Sequence, residues 1–382
     1  MRIGVDATSW TNRRGYGRFA RNALTRLAER DVETTYVFVV EAGSPAELPG
    51  ERLEVELSRP AAEAAFAESY RPPTDLFRLA TAVTRARFDA LLFPSVYTYF
   101  PSVGSPSVVG VHDLIADDFP QLTMPSRRAR TFWQLKQRTA IRLAKRLFTV
   151  SEAARTDIST RLKIAPDRLA VVPEAPDPAF TPRPDAAVEH ARAAIGLAPA
   201  DRYLLYAGGI SPHKDVETLV QGFARLGRDG LRLVLVGALD DEGYLSAATA
   251  VRARIDDLGV TDRVALPGFV SDDALACLYT GAAAVVLPSL AEGFGLPAVE
   301  AAACGAPVVL SDIPAHRETL GEDALFFPPR DAGRLAEQVE QLLDSDVLRR
   351  ALAERGHRRV ARFSWDVSAD ALRTLLHEVA RA

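Results

Sequence analysis

The sequence predicts an α/β protein built from two Rossmann-like, doubly wound parallel-sheet domains. Three observations lead there. Short apolar runs of strand length alternate with helical stretches along nearly the whole chain, the pattern of βαβ units and a parallel sheet. The 382 residues exceed what one hydrophobic core usually supports. Pro173, Pro176, Pro178, Pro182 and Pro184 crowd a segment that suits neither helix nor central strand. They place a boundary near 180–200 and divide the chain into 1–185 and 186–364.

Taken in order, candidate strands of the first half fall at 2–7, 35–40, 52–57, 89–94, 107–111, 146–150 and 169–173. Those of the second fall at 203–207, 232–236, 263–266, 283–287, 306–310 and 324–327. Most are short apolar runs, as strands covered on both faces would be. Phe363-Ser364-Trp365-Asp366 opens a last helix.

Apolar content of 48% and charged content of 25% are those of a soluble globular protein. A net charge of −4 gives no global drive toward nucleic acid. Cys277 and Cys304, the only cysteines, each lie in an expected apolar helix, which points to a reducing compartment without a disulfide framework. No Asp-x-Asp pair and no His/Cys cluster is placed to hold a metal. Met1 to Asp6 enters a strand directly with no signal-peptide core, and no run of about 18 apolar residues exists. A cytoplasmic location is expected.

The most informative stretch runs from Leu287 to Gly305. The expected strand at 283–287 gives way to Pro288-Ser289-Leu290-Ala291-Glu292-Gly293-Phe294-Gly295-Leu296-Pro297-Ala298-Val299-Glu300. Pro297 suits the first turn of a helix, and Gly305 followed by Pro307 suits its end. Glu292 then lies in the loop and Glu300 about one turn inside the helix. Gly293, Phe294, Gly295 and Leu296 offer backbone N–H groups beside a helix N-terminus. Amide donors flanked by two carboxylates suit a ligand that is both anionic and rich in hydroxyls, such as a nucleotide sugar. Two glutamates with seven residues between them, around Glu-Gly-Phe-Gly-Leu-Pro, resemble the signature of retaining glycosyltransferases of the GT-B fold, family 4. The bland alternative is a strand–loop–helix with two solvated acids.

Ligands of open α/β sheets bind beyond the carboxyl ends of the strands, where the other notable residues fall. The loop at 8–19 carries Gly15 and Gly17 in a G-x-G-x-x-A pattern, with Glu41 ending the next strand. That pattern supports a rival nicotinamide dehydrogenase. Its first glycine, however, comes eight residues after Ala7, where the dinucleotide fingerprint needs it at the strand's end. A long glycine loop instead resembles the family's N-terminal loop near the donor diphosphate. His112-Asp113-Leu114 follows a strand, and the resemblance implies that His112 meets a hydroxyl of the transferred sugar. Asp113 either orients it or caps the next turn. Ser151 reads as a helix cap.

In the second half, Gly208-Gly209-Ile210-Ser211-Pro212-His213-Lys214 ends a strand and leads into a helix. Lys214, one of four lysines, is placed to neutralise a leaving diphosphate. The segment resembles the family's Gly-Arg-x-x-x-x-Lys phosphate clamp, with Gly209 standing where many members carry Arg. Arg13, Arg14 and Arg18 are the candidates for the missing charge. Gly268-Phe269-Val270 resembles the segment whose backbone lines the base pocket. Ser311 to Pro314, with Glu318, resembles a later segment beside the donor. The final helix, 365–382, resembles the family's closing helix, which packs back on the first domain.

From Phe119 to Ser151 there are eight basic residues and no acidic one, with Phe132 and Trp133 among them. The segment 127–146 reads either as a peripheral contact with an anionic membrane or as a solvated face with its aromatics inside.

The resemblance implies a retaining, metal-independent transfer of a hexosyl group from a nucleotide-diphosphate sugar to a hydroxyl of a glycan, a lipid-linked glycan or a small molecule. Glu300 would take the ribose; Glu292 and the loop amides would hold the sugar. Lys214 would stabilise the diphosphate, and the first domain would bind the acceptor. His-Asp-Leu with Gly-Gly-Ile-Ser-Pro-x-Lys is similar to bacterial mannosyltransferases, which makes GDP-mannose the first donor to test. The alternatives are an NAD(P)-dependent dehydrogenase, a glycoside hydrolase using the two carboxylates, and a non-catalytic sugar-nucleotide binding protein.

Overall fold

The structure is a computed structural model of the chain, described here for residues 1–12, 15–58, 71–120, 124, 126–237 and 247–382. It divides into two compact units, Met1–Glu174 with Ser364–Ala382, and Ala175–Phe363.

The first unit carries β1 (Arg2–Asp6), β2 (Thr35–Glu41), β3 (Glu51–Val55), β4 (Ala90–Phe93), β5 (Ser107–Gly110), β6 (Arg146–Thr149) and β7 (Leu169–Val171). They form one parallel sheet in the order β3-β2-β1-β4-β5-β6-β7. Every residue of β4 and β5 is buried, as strands covered on both faces require. Strand order reverses between β1 and β4, so the carboxyl ends of these two strands flank the crevice where such sheets take ligands.

The second unit carries β8 (Arg202–Ala207), β9 (Leu231–Val236), β10 (Val264–Gly268), β11 (Ala284–Leu287), β12 (Val308–Ser311) and β13 (Leu325–Phe327). All run parallel in the order β10-β9-β8-β11-β12-β13. Here the reversal lies between β8 and β11. Each of the thirteen strands lies on one of the apolar runs picked out from the sequence, with ends shifted by a residue or two.

The division expected at 185/186 falls instead between Glu174 and Ala175. The proline-rich segment is not a bare linker, because its side chains pack into the second unit. Phe180 meets Tyr279 edge-on at 5.8 Å, and Arg183 donates to the Asp273 carboxylate at 2.8 Å. Pro176 and Pro178 bar helix and strand, but nothing in proline chemistry bars docking.

The last helix, Trp365–Arg381, belongs to the first unit. It lies along the helix Gly15–Arg30. Arg30 pairs with Asp370 at 2.8 Å, Arg26 pairs with Asp366, and His377 meets Asp31 at 2.9 Å. Its N-cap Ser364 accepts from the Val367 N–H.

Candidate functional site

Within the second unit, two loops meet at the point of strand reversal. One follows β8 and ends in the helix Val216–Leu226; the other follows β11 and ends in the helix Leu296–Ala303. The Leu290 N–H donates to the His213 carbonyl at 2.7 Å, which ties the loops by their backbones. The Lys214 ammonium then donates to Glu292 Oε1 at 2.5 Å. The Ser289 hydroxyl donates to the same oxygen at 2.7 Å. Glu292 Oε2 makes no hydrogen bond among the described residues and remains an acceptor for a ligand hydroxyl.

Burial pushes the Glu292 carboxyl up, but the nearby Lys214 ammonium and the two hydrogen bonds outweigh it and hold the pKa at about 2. Glu292 is therefore ionised throughout the neutral range and pairs with Lys214 as a charged couple, with side chains 11% and 17% exposed.

A second layer supports this pair. Ser311, the last residue of β12, donates its hydroxyl to the Ser289 carbonyl at 2.5 Å. His316 is wholly buried and donates from Nδ1 to the Ser311 carbonyl at 3.0 Å. Burial lowers the His316 pKa, so the neutral ring presents Nε2 as a lone pair, which has no partner. A Cβ on Gly295 would sit 3.1 Å from this ring, and Gly295 has φ +91°. Conformation and space both require glycine there. Gly295 thereby turns the chain into the helix, with Pro297 in its first turn.

Phe294, 3% exposed, packs edge-on against Phe363 at 5.1 Å and anchors the loop. Gly293 and Leu296 are buried as well. Glu300 lies in the helix, 5% exposed. Gly209 is exposed, and a side chain there would meet nothing within 4 Å. Phe269, just past β10, is 60% exposed. An apolar groove of about 840 Å³, between β10 and the helices Asp185–Ala194 and Asp272–Gly281, lies apart from the Lys214–Glu292 pair.

In the first unit, His112 follows β5. Its Nε2 donates to the Pro94 carbonyl at 2.8 Å, and Phe19 packs edge-on to the ring at 4.9 Å. Burial drives the imidazole pKa down to about 4 against the pull of that carbonyl. The ring is neutral at pH 7, with Nδ1 as an acceptor 3.9 Å from Glu174 Oε1. Asp113 accepts from the Ile115 N–H at 2.9 Å and so caps the next turn. Ser151 caps its helix by accepting from the Ala154 N–H at 2.9 Å.

Gly17 is pressed against its own loop, since a Cβ there would lie 2.1 Å from the Asn12 carbonyl oxygen. Gly15 faces open space. Arg18 lies half-buried in the helix Gly15–Arg30, while Arg13 and Arg14 lie outside the described residues.

Sequence reasoning had assigned Lys214 and Glu292 separate tasks and had not linked them. Nothing local could have, because they stand 78 residues apart. His316 was also missed. A histidine two residues after Pro314 gives no signal until Gly295 is seen beneath it.

Two family models match the chain. "Glycosyl transferases group 1" matches residues 188–359 and "Glycosyltransferase Family 4" matches residues 13–180. An MMP alpha-(1->4)-mannosyltransferase of Mycolicibacterium hassiacum is 35% identical over 63% of this chain, and the chain spans 55% of its length. An O-antigen chain mannosyltransferase B of Escherichia coli is 28% identical over 70% of this chain and 69% of its own. Among solved structures, sucrose-phosphate synthase from Thermosynechococcus elongatus superposes with TM-score 0.76 at 20% identity, covering 99% of both chains. Anabaena HepE in complex with UDP-glucose superposes with TM-score 0.75 at 17% identity, covering 98% of both. At such identities these likenesses establish the fold.

Proposed function

The chain belongs to the GT-B glycosyltransferases of the group 1 and family 4 type, and on that premise we propose that it transfers a hexosyl group from a nucleotide-diphosphate sugar to an acceptor hydroxyl with retention of configuration. The observation that carries this reading is the Lys214–Glu292 pair at the β8/β11 reversal. A cation and a carboxylate with one oxygen unused, beside a helix N-terminus, match the two halves of such a donor. Lys214 and the amides of Gly293 to Leu296 would receive the diphosphate and the sugar oxygens. Glu292 Oε2 would take a sugar hydroxyl, and Glu300 the ribose.

The pair also sets a constraint. As Lys214 is already neutralised by Glu292, it acts on the diphosphate as an oriented donor rather than as a full extra charge. Much of its worth is then realised as charge builds on the leaving oxygen. These protein groups supply the leaving-group stabilisation in this reading, so a chelator should leave turnover unchanged. The first unit is assigned the acceptor, with His112 Nδ1 as a hydroxyl-accepting atom.

Mannose from GDP-mannose is the proposed donor chemistry, supported by the two mannosyltransferase relatives. A lipid-linked acceptor is supported by the helix Arg127–Leu143. Phe132, Leu135 and Leu143 are exposed on it among arginines, while Trp133 is buried. That arrangement suits an anionic membrane surface. No described helix is long and apolar enough to cross a membrane.

The test is thermal stability against GDP-, UDP-, ADP- and dTDP-sugars, with NAD and NADP as controls. A donor at 100 times its Kd should add about 2.7 kcal/mol of apparent stability. A response to nicotinamide nucleotides alone would overturn the proposal.

A further inference from the structure

Tyr206, the last residue but one of β8, is 1% exposed. Its hydroxyl reaches under the loop that follows and donates to the Gly209 carbonyl at 2.7 Å. Burial and the charge of Glu292 raise the phenol pKa well above its ordinary value, so the proton stays on and the group is a donor. The carbonyl oxygen of Gly208 lies against the buried Gly237, just past β9, where a Cβ would sit 2.1 Å from it. The Ile210 carbonyl accepts from the Ala247 N–H at 3.1 Å. Three successive carbonyls of the loop are thus taken up by the fold.

The N–H groups of the same peptides face the other way. A trans peptide points its N–H opposite to its C=O, and both peptides are trans. The Gly209 N–H therefore turns away from Gly237, and the Ile210 N–H turns away from the Tyr206 hydroxyl. Neither makes a hydrogen bond among the described residues. Gly208 has φ +152°, and a Cβ on it would meet the Tyr206 oxygen at 3.0 Å, so this turn beside the phenol requires glycine.

Two adjacent N–H donors without a partner stand at the carboxyl end of β8, beside the strand reversal and a few residues before Lys214. Their chemistry is that of an anion site. Position 209 brings no charged side chain, and Lys214 shares its charge with Glu292. Within this loop an anion is then met mainly by neutral dipoles. Such dipoles are effective when they are already oriented, because no reorganisation is needed as charge develops. A peptide between glycine and its neighbour is free to present either its oxygen or its N–H. The Tyr206 hydroxyl decides which.

We propose that Tyr206 is a positioning residue for the donor diphosphate: by holding the Gly209 carbonyl inward it turns the Ile210 N–H, beside that of Gly209, toward the phosphate oxygens. The inference rests on the nucleotide-sugar reading above and names the groups that act in this chain where a side-chain charge at 209 is absent.

The test begins with calorimetry of GDP, UDP, ADP and dTDP on the full-length protein. The diphosphate that binds is compared with its own nucleoside, which lacks the phosphates. Tyr206→Phe should weaken the diphosphate about tenfold and leave the nucleoside unchanged, with folding checked by thermal melts. A general loosening of the site would weaken both. A second measurement needs no change at Tyr206. In the wild type, the backbone ¹H–¹⁵N resonances of Gly209 and Ile210, assigned with Gly209→Ala and Ile210→Val, should move saturably with the diphosphate and stay in place with the nucleoside. Unaltered diphosphate affinity in Tyr206→Phe, an equal loss of nucleoside affinity, or a silent Ile210 amide in protein that binds the diphosphate each overturns the proposal and leaves the donor reading standing. A wild type that binds none of the four diphosphates removes the donor reading, and this inference with it.

Discussion

The Lys214 ammonium and Glu292 Oε1 lie 2.5 Å apart, joining the loops that leave β8 and β11. The pair couples the group assigned to the leaving diphosphate to the group assigned to the sugar. Neither can be changed without disturbing the other.

Lys214→Met should lower kcat by roughly 10²-fold or more, the scale for losing a preorganised stabiliser of developing charge. Steady-state and single-turnover kinetics read this directly. A rise in KM with kcat unchanged would mean that Lys214 binds the donor without aiding the chemistry. The same variant has a pH signature. The folded pKa of Glu292, about 2, lies below its ordinary value of 4.5. The pair's contribution is therefore fully present above about pH 4.5 and is lost as pH falls toward 2. The stability gap between wild type and Lys214→Met should narrow over that window, as measured by denaturant unfolding.

Glu300→Gln should weaken nucleotide binding about tenfold, on the scale of one charge-assisted hydrogen bond, and leave kcat at saturating donor nearly unchanged. Calorimetry with the nucleoside diphosphate reads the first effect. An unaltered affinity removes the ribose assignment.

Gly209→Arg should fold normally, because its side chain projects into open space. It should tighten nucleoside diphosphate binding and steepen the salt dependence of that binding. Calorimetry at two salt concentrations checks both. If affinity is unchanged, the clamp in this chain does not pass Gly209.

Gly295→Ala should destabilise the protein by about 1–3 kcal/mol, since φ +91° is strained for alanine and His316 occupies the space above it. Gly209→Ala is the control and should stay within about 0.5 kcal/mol of wild type. Urea unfolding of both variants distinguishes backbone strain from a general intolerance of glycine replacement.

His112 gives a second pH window. Its folded pKa of about 4 lies below the ordinary 6.5, so the unfolded chain takes up the proton first. Stability from this group is complete above about pH 6.5 and is lost as pH falls to 4, by roughly 3 kcal/mol. His112→Gln should show a flatter stability profile across that range. An unchanged slope would mean that the imidazole is not held neutral by burial.

The strands, their parallel direction and the main site loop were legible in the sequence for physical reasons. A buried parallel strand must be continuously apolar, as Ala284–Leu287 and Val308–Ser311 nearly are. A helix that starts beyond a ligand loop shows its proline and its closing glycine, as Pro297 and Gly305 do. These are local rules, satisfied within a few residues. Prolines report what backbone they forbid, not which unit their neighbours pack against; that Phe180 and Arg183 dock on Tyr279 and Asp273 was not legible in them.

What the sequence determined by itself, then, is the fold class and the identity of the residues with chemistry to offer. The tertiary structure alone decided how they are combined. It set Lys214 on Glu292 and His316 over Gly295. The reason is range. Periodicity and turn chemistry act between neighbours in the chain, whereas ion pairs, burial and unmet hydrogen bonds depend on distances in space that only the folded sheets create.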